Sequence, residues 1–161
     1  FGDNLFRDWR YKKSGEPNSE FVLNNPKFSG KVLVTGKNFG SGSSREHAVW
    51  AIFDYGFRVV VSSFFADIFM NNSLNNGLLP IVISEELLKK LHALIQMDPS
   101  AKVKIDLDKQ TFTIPSSGDS VRFAINPYKK ECLLKGLDDI DFLLSMKNVI
   151  TGYETNKSLV K

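Results

Sequence analysis

The residues best suited to chemistry stand together in "GKNFGSGSSREH", positions 36 to 47, where three glycines and three serines fill the nine places from Gly36 to Ser44. Arg45, Glu46 and His47 follow at once. Ser43 and Glu46 are three apart, the spacing of a capping box in which the hydroxyl accepts from the third helical N–H and the carboxylate reaches back. Gly40 and Gly42 remove the side chains that would keep a backbone away from a ligand. Unpaired N–H groups at a helix start, at the positive end of its dipole, favour an anion. Arg45 adds a planar fork matched to a carboxylate or phosphate. The chemistry this allows is the binding of a small acid. A purely structural cap fits the same spacing equally well, and the residues alone leave both open.

Other chemistries fit less well. A dinucleotide fingerprint needs a third glycine where "GSGSSR" has Arg45, and no Gly-Lys-Ser/Thr follows to make a phosphate loop. The stretch lacks the nucleophile-elbow pattern of a serine hydrolase. His47, one turn into the helix, reads as a packing or supporting residue rather than a ligand. His92 lies on a remote helix and is expected to face solvent. Cys132 is expected to be buried and inert. Phe64, Phe65 and Phe69 read as core, and "LDDIDF" reads as acidic bias at a helix start rather than a metal site.

These residues need elements to hold them. "KVLVTG" reads as a buried strand ending at Gly36, and the glycine-rich loop follows. The period of Ala48, Ala51, Ile52 and Tyr55 predicts a helix over 44–55, with Gly56 just past its end. "FRVVV" (57–61) makes a second strand. A shorter helix is predicted over 64–72, with Ser63 as cap and Phe65, Ile68 and Phe69 inward. "NNGLLPIVI" gives a turn and a third strand. Ser84 caps a helix through about 97, stopped by Pro99. From 102 to 125 the period is two, with "SSGD" as a hairpin loop. Helices are predicted at about 129–136 and 139–149, before a polar, frayed tail. Residues 1–30 are irregular, and "FVLNNP" reads as a short strand or loop. The expectation is one α/β domain with an added antiparallel patch, undivided by a linker.

The bulk properties agree with a single globular unit. The chain has 161 residues, 42% hydrophobic and 24% charged, and a net charge of +3. The cations are dispersed among acids, so no nucleic-acid face is expected. A lone cysteine excludes an internal disulfide framework and a multi-cysteine metal site. No apolar run approaches the roughly 20 residues that span a bilayer. A cytoplasmic location and no membrane partner are the expectations.

"GSGSSREHAVWAIFDYGFRVVV", followed by "SFFADIFMNNSLNNGLLPI", closely resembles the small subunits of bacterial isopropylmalate dehydratases in the aconitase superfamily. The opening "FGDNLFRDWRY", "FVLNNP" and the late "LLKGLDDIDFLL" extend the likeness over nearly the whole chain. The resemblance implies a swivelling β/β/α domain that closes over an active site carried mostly by a large subunit. That partner would hold a 4Fe-4S cluster whose open iron takes the substrate's hydroxyl and carboxylate. A cluster of this kind usually needs several thiolates, which Cys132 alone cannot supply. The implied reaction interconverts 2-isopropylmalate and 3-isopropylmalate through isopropylmaleate in leucine biosynthesis, so the substrate is a small dicarboxylic hydroxy acid. By position, Ser43 matches the catalytic base, Ser44 and Arg45 the binders of a substrate carboxylate, and Gly40, Gly42, Glu46 and His47 the supports.

Two departures bear on this likeness. Ser41 stands where many relatives have cysteine, at a position that tolerates change. Relatives also begin with a strand bearing an Asp-Thr-Asp-like stretch and a mobile specificity loop, both of which would precede Phe1. The expectation is therefore a single swivel domain over 1–161 lacking those two segments. The alternatives are a sister hydro-lyase subunit acting on citraconate or homoaconitate, and a non-catalytic module that binds a small anion.

Overall fold

Three β-branched runs, each followed by an amphipathic segment long enough to cross back, dictate a parallel sheet with helical connections. The computed structural model describes residues 1–42 and 45–158, with side chains described through 155. A 3-10 turn (Gly2–Asn4), α1 (Arg7–Arg10) and a second 3-10 turn (Val22–Asn24) lead into β1 (Val32–Val34). Then come α2 (His47–Tyr55), β2 (Val59–Ser62), α3 (Asp67–Asn75), β3 (Leu79–Val82) and α4 (Glu85–Met97). The strands lie in the order β1-β2-β3, all parallel, with Val32 opposite Val59 and Val59 opposite Leu79. A second sheet is antiparallel: β4 (Lys104–Asp106), β5 (Thr111–Ile114) and β6 (Asp119–Arg122). Helices α5 (Pro127–Lys135), α6 (Asp139–Ser145) and α7 (Lys147–Ser158) follow.

Successive residues of a strand face opposite ways, and β2 uses both faces. Val60 packs with Val49, Ile52, Phe65 and Phe69 from the α2 and α3 side. Val61 packs with Ile81, Leu87 and Leu91, and with Phe112, Ile114 and Phe123 of the antiparallel layer and the stretch after it. The parallel sheet is therefore the middle layer, and both valines are fully buried. Burying each contributes roughly 1.5–3 kcal/mol. In β3, Leu79 donates to Arg58 O and Ile83 to Ser62 O. The alternation turns the nitrogen of Pro80, which carries no hydrogen, towards the edge away from β2.

Several boundaries differ from those expected. Regular helix begins at His47 rather than at 44, because the apolar stripe that draws α2 onto the core starts only with buried Val49. The helix expected over 64–72 runs Asp67–Asn75, with Ala66 and not Ser63 at its cap position. The chain stays extended through this join because Phe65 bridges Phe39 and Ala66 donates to Phe39 O at 3.1 Å. Phe65 then points into the core, while Phe64 is 50% and Ile68 53% exposed, contrary to the inward placement expected for both. "FVLNNP" forms neither strand nor simple loop but the second 3-10 turn. The helix over 139–149 is two helices broken at Met146, and the segment read as a frayed tail is helical through Ser158. His92 is half-buried, not solvent-facing, since it borders the stripe of Leu87, Leu88 and Leu91.

Other expectations hold. The Ser84 hydroxyl accepts from Leu87 N–H at the start of α4. Gly56 takes φ 119° and donates to Ile52 O and Phe53 O, closing α2. Cys132 is buried on α5.

Candidate active site

In an open parallel sheet, ligand-binding loops leave the carboxyl ends of the strands, and the glycine-rich loop leaves the end of β1. Thr35, buried, sends both its N–H (2.8 Å) and its hydroxyl (3.1 Å) to Val61 O, which carries the pairing with β2 one step further. The fully buried Ser62 hydroxyl lies 2.7 Å from Gly36 O and 3.0 Å from Phe64 O, sharing its single hydrogen. It also accepts from Phe64 N–H at 3.3 Å. Next to it, the buried Ser63 hydroxyl has no hydrogen-bond partner among the described residues. Lys37 pairs with Glu85 at 2.8 Å and ties the loop to the first turn of α4. That hydrogen bond, and then the lysine charge, hold the Glu85 carboxyl below the usual range.

The loop turns through two left-handed residues, Asn38 at φ 62° and Gly40 at φ 84°. A Cβ on Gly40 would stand 2.3 Å from Phe69 Cγ, so only glycine fits. The Phe39 ring meets Phe69 edge-on, with centroids 5.2 Å apart. The loop backbone therefore rests directly on the core. Gly42 is different: it is exposed, and a Cβ there would meet nothing within 4 Å among the described residues. Gly40 serves the protein's own packing, while Gly42 keeps open space beside the loop.

Ser43 and Ser44 lie outside the described residues, and so does the box expected between Ser43 and Glu46. Arg45 is exposed at the mouth of α2. Glu46 is half-buried and occupies the cap position of the helix. Its carbonyl accepts from Val49 N–H at 2.8 Å and Trp50 N–H at 3.0 Å, and its side chain makes no capping bond. His47 is exposed, with its ring 5.5 Å from Phe1 and 5.0 Å from Trp50 between centroids. Trp50 Nε1 donates to Asn76 Oδ1 at 2.8 Å, fixing α2 against the end of α3.

The N-terminal segment clamps α2 and the loop from outside. A Cβ on Gly2 would come within 2.8 Å of Tyr55 N. Arg10 sits 4.8 Å from the Tyr55 ring centroid, and Tyr55 donates its hydroxyl to Leu23 O. Phe6 approaches the loop's own Phe39, with centroids 6.4 Å apart.

Thr35 and Ser62 were not among the residues singled out from sequence, and Ser63 was read only as a helix cap. The available signal was a polar pair ending an apolar run in "VVVSS". Among the described residues, no group of three His, Cys, Asp or Glu side chains is placed to hold a metal ion. The arrangement offers a helix start and the exposed Arg45 guanidinium beside the glycine-rich loop, both suited to a carboxylate.

Comparison with known proteins gives this arrangement a context. Residues 1–86 match the aconitase C-terminal domain family. The 3-isopropylmalate dehydratase small subunit of Christiangramia forsetii is 55% identical over 98% of this chain and 77% of its own length. That of Azobacteroides pseudotrichonymphae is 57% identical over 97% of this chain and 80% of its own length. The crystal structure of the Methanocaldococcus jannaschii 3-isopropylmalate dehydratase is 31% identical, with a TM-score of 0.59 over 81% of this chain and 74% of that one. On fold, loop and likeness together, the chain belongs to the 3-isopropylmalate dehydratase small-subunit family, with the aconitase C-terminal domain.

Proposed function

We propose that this chain forms half of an active site that moves water between adjacent carbons of a small hydroxy dicarboxylic acid. It is the small subunit of a 3-isopropylmalate dehydratase and works with a large subunit in the cytoplasm, in leucine biosynthesis. The observation that carries this reading is the near-full-length identity to small subunits of that name.

Ser43 takes the role of base. As an alkoxide it accepts a proton from the carbon beside a carboxylate of 2-isopropylmalate. The C–H electron pair becomes the carbon–carbon double bond of isopropylmaleate, and the hydroxyl on the neighbouring carbon departs with its bonding pair as hydroxide. Hydroxide then adds in the opposite sense, its oxygen going to the other carbon and the proton returning from Ser43, to give 3-isopropylmalate. A serine hydroxyl is ordinarily far too weak a base, so its anion needs the N–H groups at the start of α2 and the Arg45 charge. Ser44 and Arg45 bind a substrate carboxylate and stabilise the charge it gathers in the transition state. Glu46 and His47 support the turn. A 4Fe-4S cluster in the large subunit supplies the Lewis acid for the departing hydroxyl. Within this chain the buried Cys132 on α5 offers one thiol, short of the set such a cluster requires.

The test is Ser43→Ala assayed with the large subunit on isopropylmaleate. The expected result is loss of kcat by about three orders of magnitude or more with assembly intact, the scale set by removing a group that acts in the chemical step. Turnover near wild type would remove Ser43 from the role of base. A panel including citraconate separates this enzyme from its sister hydro-lyases.

A further inference from the structure

An asparagine followed by glycine can react with its own chain, and the sequence holds one such pair, Asn76-Gly77. It stands in the turn between the end of α3 and the start of β3. Glycine has no side chain to shield its nitrogen. Gly77 is exposed, in a left-handed turn at φ 74°, and among the described residues its N–H donates to no acceptor. Nucleophile and carboxamide are therefore neighbours in the chain, and water reaches the turn.

The fold holds the two groups apart. Asn76 has ψ 20°, which places the Gly77 nitrogen across the Cα–C bond from Asn76 Cβ, so a five-membered ring cannot close. The carboxamide is fixed at both ends. Its Oδ1 accepts from Trp50 Nε1 and its Nδ2 donates to Asn72 O, each at 2.8 Å. The Asn76 N–H is shared between Asn72 O and Ser73 O, at 3.1 Å each. Reaction must wait for this turn to open locally, and the bond from Trp50 on α2 resists that opening.

We propose that Asn76 is a site of spontaneous deamidation, kept slow in the native fold by the indole of Trp50, and that its conversion unfastens α2 from α3. The Gly77 nitrogen gives up its proton to solvent and bonds to Asn76 Cγ. The side-chain nitrogen departs with its bonding pair and a proton from water as ammonia, leaving a succinimide. Water then opens that ring. Attack at Cγ gives aspartate, and attack at the backbone carbonyl gives isoaspartate, with the chain routed through Cγ. Each product spoils the turn. Aspartate still accepts from Trp50, but its second oxygen faces the Asn72 carbonyl that Nδ2 serves in the native fold. Its charge also stands at the carboxyl end of α3, where the helix dipole opposes it. Isoaspartate lengthens the backbone between α3 and β3. Trp50 lies one turn beyond His47, so either change loosens the helix that follows the glycine-rich loop. The proposal holds for this fold whatever reaction that loop serves.

The experiment ages the purified full chain in mildly alkaline buffer and follows every asparagine by peptide mapping, with enzymatic methylation to count isoaspartate. Trp50→Phe keeps an aromatic ring and removes the N–H. It speeds conversion at Asn76 about fivefold, the scale of one hydrogen bond in the opening equilibrium, and leaves Asn148, exposed on α7, unchanged. Circular dichroism of the fresh variant checks its fold. A second measurement needs no variant: in urea, wild-type Asn76 converts faster than in the folded chain and ahead of every other asparagine. Asn76→Asp, which supplies one product directly, lowers the melting temperature by about 5 °C. Equal rates at Asn76 in folded and urea-unfolded wild type overturn the proposal, as does a folded Trp50→Phe chain that converts no faster than wild type. Another asparagine leading in urea removes Asn76 as the site, and an Asn76→Asp chain as stable as wild type removes the consequence for α2.

Discussion

At Gly40 a single hydrogen atom occupies the space where any other residue would place carbon inside the Phe69 ring. The left-handed backbone adds about 1–2 kcal/mol against a Cβ, and overpacking the ring adds roughly 1–3 kcal/mol. Gly40→Ala is therefore expected to lower the melting temperature by about 10 °C, read by calorimetry of the isolated chain. Gly42→Ala, facing open space, leaves that temperature unchanged and weakens substrate binding, seen as a raised KM in the assembled enzyme. A sensitive Gly42 fold would contradict the division of labour drawn between the two glycines. Both residues were conspicuous in sequence because a glycine loop before a helix is local information. Ser62 was not, since its partner Gly36 O lies 26 residues away and only the register of β1 on β2 brings them together. The start of α2 was misplaced for a related reason: its regular turns coincide with the tertiary burial of Val49, which no local signal marks.

Between α5 and α6 the connection depends on two groups that respond to opposite ends of the pH scale. The hydrogen bond from Lys129, and then that from Tyr128, hold the Asp139 carboxyl below its ordinary 3.8. The folded joint therefore favours the ionised form. Its contribution is complete above about 3.8 and is lost as pH falls through the lower folded value. Tyr128 shifts the other way: its hydroxyl donates to the Asp139 carboxylate, and burial adds to the effect, raising it above its ordinary 10.0. That contribution is present below pH 10.0 and disappears as the phenol ionises above it. The joint should hold between these limits and loosen beyond either. An NMR titration of the Tyr128 ring and the Asp139 carboxyl checks it, and Lys129→Met should return the Asp139 midpoint towards 3.8. Strands and α4 were legible because period and caps agree in one segment. The break at Met146 was not, since an apolar pattern runs through it and only the geometry of the chain shows α6 ending with Met146 N–H on Leu143 O.

As a whole the molecule is a rigid three-layer body carrying a loop on one edge and α6 and α7 at its C-terminal end. The proposed cluster belongs to the other subunit, which makes a clear demand on metal removal. Chelating iron from the assembled enzyme should abolish hydration, while the same chelator leaves the unfolding of the isolated chain where it was. A chain that unfolded earlier under chelation would show a metal dependence of its own. The edge of β3 sets a separate limit on what this body can join. With Pro80 turned outward, a strand arriving beside β3 would find no donor at the middle of the run. Extension of the parallel sheet by a further segment, from this chain or another, is thereby steered to the β1 side. Along the β3 border a rung of the ladder is missing, and association there falls to side chains more than to backbone.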